Sequence, residues 1–141
     1  MKGDDISQRF IELAVRVIRL VKALPKDFVG KHIGNQLLRS GTSGGANYEE
    51  ARGSESNADF IHKLKIALKE LRESIFWVNV IGKAELIPTN KLEEILQEFK
   101  ELSNIIAKSI ITTQKKVKKW NVFYFRFVIF YFIFNKEILC K

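Results

Sequence analysis

Hydrolytic and metal chemistry need convergent ligands or an activated nucleophile, and few residues in this 141-residue chain could supply either. His32 and His62 are its only histidines; they fall on different helical patterns with no cysteine beside them. The one cysteine, Cys140, stands next to the last residue, so neither an internal disulfide nor a Cys-based zinc site can form. Ser40, Thr42 and Ser43 carry hydroxyls, but no histidine or lysine is paired with them. Glu49, Glu50, Glu70 and Glu73 place four carboxylates on two successive helical patterns, as a di-metal bundle would, yet the Glu-x-x-His pairs of such sites are missing. Glu50 and Glu70 fit better as partly buried acceptors for Arg39 or Asn47 across a helix interface. The run Ser40-Gly41-Thr42-Ser43-Gly44-Gly45-Ala46 is glycine-rich like a phosphate-cradling loop. No Gly-Lys-Ser/Thr follows it and no strand precedes it, so that match fails. The expectation is a non-enzymatic chain with no catalytic residue, metal or cofactor.

Positive charge is the remaining chemistry. Twenty-four Lys and Arg against sixteen Asp and Glu leave +8 and a pI near 9.6, which excludes an acidic solvating protein and points toward polyanions. The candidate nucleic-acid contacts are Arg9, Arg16 and Arg19 on a first helix, Lys65, Lys69 and Arg72 on a third, and Lys115, Lys116, Lys118 and Lys119 at the end of a fourth. Each has an ordinary alternative as a solvated charge, and the last four also suit the C-terminal end of a helix dipole. No aromatic stacking platform is evident beside them, so little sequence specificity and a steep salt dependence are expected.

Helices must position these residues. Ile6, Phe10, Leu13, Val17, Leu20 and Leu24 step by four and three, with Asp5 as N-cap and Gln8 completing a loose capping box. Ile11, Ala14, Val15, Ile18 and Val21 fall on a neighbouring arc, which widens the apolar surface to about 220°. This helix is either central in its own bundle or a subunit interface. Pro25-Lys26-Asp27 ends it, and a second pattern runs from about Lys31 to Arg52 through Ile33, Leu37, Gly44, Tyr48 and Ala51. Its glycines each cost about 1 kcal/mol relative to Ala; Gly41 and Gly45, four apart, permit close approach of a neighbouring helix, a kink being the other option. Gly53 ends this helix, and Ser56 with Asp59 forms a capping box for a third through Phe60, Leu64, Ala67, Leu71, Ile75 and Val78. After a connection from Gly82 to Pro88, Asn90 to Glu93 caps a fourth through Leu92, Ile95, Leu96, Phe99, Leu102, Ile106, Ile110 and Val117. The fold class is all-α: an antiparallel up-down four-helix bundle over 4–119 with an aromatic C-terminal extension over 120–141.

That extension obeys other rules. Six of the eleven phenylalanines lie between Phe123 and Phe134 in nearly unbroken aromatic and β-branched sequence, strand material by propensity. An apolar run of about 13 residues containing Arg126 is too short to span a membrane. A membrane-interfacial anchor, a strand packed on the bundle or on another subunit, and a non-selected extension rich in amino acids of A/T-rich codons all stay open. Without it the bundle keeps a net charge of about +6. The N-terminus, Met1-Lys2-Gly3-Asp4-Asp5, leads straight into an amphipathic pattern and does not resemble a signal peptide, so the expected location is cytoplasmic.

The run from Gln36 through Arg39-Ser40-Gly41 and Gly44-Gly45-Ala46-Asn47-Tyr48-Glu49-Glu50-Ala51, continued by Ser56, Asp59, Lys63, Lys69-Glu70, Glu73 and Trp77, resembles the four-helix bundle proteins encoded in intervening sequences of 23S rRNA genes. The resemblance covers roughly residues 4–118 and implies an antiparallel bundle that assembles as a homopentamer. A similar bundle is the accessory protein of diversity-generating retroelements, where a basic pentamer engages reverse transcriptase and nucleic acid. Ser43-Gly44-Gly45-Ala46 departs from the proline-containing segment of many members, and nothing in the family prepares for the aromatic extension. Two functions are thereby implied: an RNA-associated assembly protein, or a scaffold for a protein partner such as a reverse transcriptase. Membrane contact through the extension is the least favoured.

Overall fold

Asp27 decides where the second helix begins. Its side chain accepts from the Gly30 backbone N–H at 2.8 Å, so α2 starts at Phe28, three residues before the periodic pattern implied. The computed structural model describes residues 3–139, with side chains through 124 except at 121. Among them are α1 (Asp4–Ala23), α2 (Phe28–Arg52), α3 (Asn57–Lys83) and α4 (Glu93–Leu139), with a short 3-10 turn at Thr89–Lys91 and no strand. The helices pack in chain order, α1 on α2, α2 on α3 and α3 on α4, with α1 closing on α4, which makes the expected antiparallel up-down four-helix bundle.

Capping differs from expectation at two ends. The first helix begins at Asp4 behind Gly3, with no side-chain cap, so Asp5 lies inside the helix and Gln8 donates to Glu12 instead. Ser56 caps α3 as expected, accepting from the Asp59 N–H at 3.1 Å. The third helix continues through Gly82, where Leu92 of the returning chain packs, and stops at Lys83. The chain then turns through Glu85 at φ 55, in the left-handed region.

Most of the core comes from side chains that the helical spacing selects, with Ile81 added beyond the α3 stripe and Leu20, Phe60, Ile75 and Leu96 only half-buried at its margin. Leu13, Val17, Leu37, Leu64, Leu71, Val78, Ile81, Phe99, Leu102 and Ile106 are fully buried. Glycines in α2 let α1 approach closely: a Cβ on Gly41 would lie 2.9 Å from Val17 Cγ2, and one on Gly45 3.1 Å from Phe10 Cβ. The close-approach reading of these glycines therefore holds, and α2 runs unbroken through them.

The extension departs from its strand-like propensity. The fourth helix passes through 119 and 120 without a break and stays helical to Leu139. A helix already nucleated over many turns gains one backbone hydrogen bond per added residue, whereas β-propensity needs a partner strand that the bundle does not offer. Among the described side chains Ile110 is the last buried one of this helix; Trp120, Val122, Phe123 and Tyr124 are exposed. Cys140 and Lys141 lie outside the described residues.

Candidate nucleic-acid interface

The packing sorts the candidate cations into two groups. Arg9 reaches from α1 to α4, where its Nε donates to Glu98 Oε1 at 2.8 Å and its Nη2 to Glu98 Oε2 at 3.0 Å and to Glu101 Oε2 at 2.8 Å. The bond to Glu98 is the main reason the Arg9 guanidinium is held more firmly protonated than usual. Arg16 pairs with Glu94 at 3.0 Å. Two of the three α1 candidates thus fasten α1 to α4, and among the described residues Arg19 alone of them stands outside an ion pair. Lys65, Lys69 and Arg72 are exposed along α3, and Lys115, Lys116, Lys118 and Lys119 are exposed on α4, none within an ion pair among the described residues.

The motif residues of α2 and α3 build a polar clamp between those helices. Glu70 is 7% exposed, and Arg39 Nη1 donates to its Oε2 at 3.3 Å. Arg39 also pairs with Glu73, whose carboxyl is held below the usual range chiefly by that bond. Behind them the buried hydroxyls of Ser40 and Ser74 meet at 2.9 Å. The expected Glu70–Arg39 contact is present. Glu50 instead pairs with Lys63, and Asn47 donates within its own helix to the Ser43 carbonyl at 2.9 Å. Asp59 offers its backbone N–H to the Ser56 cap, while Gly44 packs against Leu71. This cluster is a helix-to-helix fastening with its acceptors satisfied.

Histidines and carboxylates do not converge. His32 meets the edge of Trp77 and His62 is exposed on α3. Among the described residues no group of three or more His, Cys, Asp or Glu could hold a metal ion. Two open depressions of about 610 Å³ are present, one at the α2–α3 turn between Arg52 and Lys116, the other along α4 lined by Lys116, Lys119, Trp120 and Phe123. No described helix is long and apolar enough to cross a membrane.

One exposed side chain escaped the sequence-based selection. Phe76 lies four residues beyond Arg72 and is 57% exposed, on the same face as the α3 cations. Extending the spacing of Lys65, Lys69 and Arg72 by one more step would have found it.

No curated protein matches the chain. A crystal structure of a protein of unknown function from the S23 ribosomal protein family of Bacteroides thetaiotaomicron VPI-5482 is similar, with 39% identity over 74% of this chain and 97% of that one and a TM-score of 0.70. The family model described as 23S rRNA-intervening sequence protein matches residues 3–108, a segment that holds the α1, α2 and α3 features and ends before the α4 lysine cluster. The chain belongs to the 23S rRNA-intervening sequence protein family.

Proposed function

We propose that this protein is a non-enzymatic, self-assembling basic bundle that associates with RNA through its phosphates. The observation that carries this reading is the division of charge. Among the described residues five cations, Arg9, Arg16, Arg39, Arg52 and Lys63, hold eight carboxylates in ion pairs. The surface outside those pairs is therefore richer in positive charge than the net +8 alone conveys. Lys65, Lys69, Arg72 and the lysines from Lys115 to Lys119 provide the phosphate contacts, and ring assembly multiplies them. The exposed apolar row Ile11, Val15 and Ile18 on α1 supports self-assembly, and the pentameric count is what the resemblance implies.

Filter binding of single-stranded and structured RNA across a salt series tests the proposal. Each phosphate contact to a single strand contributes about −0.7 to the slope of log affinity against log salt. Replacing Lys65, Lys69 and Arg72 together with Ala should flatten that slope by about 2. Failure of the wild-type protein to retain RNA even at low salt sinks the reading.

A further inference from the structure

Positions 65, 69, 72, 76, 79 and 83 of α3 step by four and three, and every one of them is exposed. They carry Lys65, Lys69, Arg72, Phe76, Asn79 and Lys83: four cations, an amide, one aromatic ring and no carboxylate. At 1.5 Å per residue the row extends about 27 Å along the helix. Isolated exposed apolar side chains are ordinary; the position of this one is not, since it interrupts an otherwise cationic and polar row midway.

The Phe76 ring is also braced. It meets Trp77 edge-on, with centroids 5.0 Å apart at 76°. Trp77 is half-buried, meets His32 edge-on at 6.2 Å, and donates from Nε1 to Glu73 Oε1 at 3.4 Å. Glu73 is engaged by Arg39, which offsets the charge of the nearest carboxylate on α3. Asn79, three residues beyond Phe76 on the same row, donates from Nδ2 to the Ile75 carbonyl at 2.8 Å.

We propose that this row binds single-stranded RNA, with Lys65, Lys69, Arg72 and Lys83 against phosphates and a base stacked on Phe76. The inference rests on the RNA-associated reading and deepens it by naming the form of RNA and the stacking residue. Bases in a duplex are already stacked on one another and cannot reach a side chain, so an exposed ring favours the unpaired form. A single strand offers free base faces, and stacking on an aromatic side chain is tolerant of sequence. The cations without interspersed carboxylates supply the complementary charge for its backbone.

Fluorescence anisotropy of the full-length protein with a labelled oligouridylate and with an RNA hairpin closed by a compact tetraloop whose bases stack on one another tests the assignment. Phe76→Ala and Phe76→Leu should each weaken oligouridylate binding about tenfold, while Phe76→Tyr keeps wild-type affinity. The salt slope and the hairpin affinity should stay unchanged in all three, because no cation is removed. Wild-type binding by Phe76→Leu overturns the stacking role, since it keeps an apolar side chain without a ring. An equal loss on the hairpin, or a changed native mass for Phe76→Ala, overturns it as well, the latter by making the ring a subunit contact. If the wild-type protein binds neither RNA at low salt, the RNA-associated reading falls; if it binds and Phe76→Ala binds equally, only the stacking site falls.

Discussion

Gly30, Gly41 and Gly44 all lie in α2, yet the side chain each would tolerate differs because of what stands opposite. A Cβ on Gly30 would lie 2.1 Å from the Pro25 carbonyl oxygen, which is backbone and cannot step aside. On Gly41 it would meet Val17 methyls at 2.9 and 3.0 Å, and on Gly44 it would find Leu71 at an ordinary 3.5 Å. Urea denaturation should therefore rank the alanine variants. Gly30→Ala should lose the most, Gly41→Ala about 1–3 kcal/mol through overpacking, and Gly44→Ala little or nothing, since better helix propensity offsets a small repacking cost. Equal losses at Gly41 and Gly44 would contradict the packing. At the same scale, Glu73 has its folded pKa depressed below 4.5 by Arg39, with a lesser contribution from Trp77. A depressed carboxylate adds stability that is present above its unfolded pKa and is lost as pH falls toward the folded one. The stability gap between wild type and Glu73→Gln should thus hold steady near neutral pH and narrow below about pH 4.5. A gap that persists unchanged into acid would mean the ion pair is not its source.

Periodicity located the helices because each must bury a stripe, and most of each named stripe is buried: Leu64, Ala67, Leu71 and Val78 on α3, Ile95, Phe99, Leu102 and Ile106 on α4, with Phe60, Ile75, Leu96 and Val117 half-buried. Ends were less legible. The first turn of α2 carries exposed Phe28 and Val29, which add nothing to a buried stripe, so the start depended on one capping bond from Asp27. In the C-terminal part of α4, local strand propensity and helix continuation disagreed, and continuation prevailed in the backbone. Because Ile110 is the last buried residue among the described side chains of that helix, and Trp120, Val122, Phe123 and Tyr124 are exposed, deleting residues 120–141 should leave the thermal midpoint of the bundle essentially unchanged by calorimetry. Phe99→Ala, by contrast, empties a fully buried site and should cost about 3–5 kcal/mol. A large drop in midpoint on truncation would show that the extension packs on the bundle.

For the whole molecule, the wide apolar surface of α1 is divided by the fold. Phe10, Leu13 and Val17 go inward, and Ile11, Val15 and Ile18 remain 57%, 40% and 38% exposed. The single chain covers part of that second arc, where Val21 packs against the core and Ala14 is half-buried, and leaves Ile11, Val15 and Ile18 uncovered, so of the two options raised by the sequence the subunit interface is the one retained in the proposal. Val15→Asp should lower the native mass measured by light scattering while leaving the helical circular dichroism signal intact, since the site is already partly solvated. An unchanged mass would move the assembly surface elsewhere.

From the sequence by itself came the all-α class, the four helical stripes, the Gly53 and Ser56 helix boundaries and the excess of positive charge, since these follow from spacing, local turn chemistry and counting. The ion pairing of the cations required the tertiary structure: Arg9 meets Glu98 across 89 positions of chain, and no local pattern foretells which carboxylate a given arginine will reach. The exposure of Phe76 was also decided there, because a ring four residues from an arginine can turn inward or outward until the neighbouring helices are in place. The packing of α2 and α4 beside α3 covers Leu71 and leaves the row from Lys65 to Lys83 facing solvent.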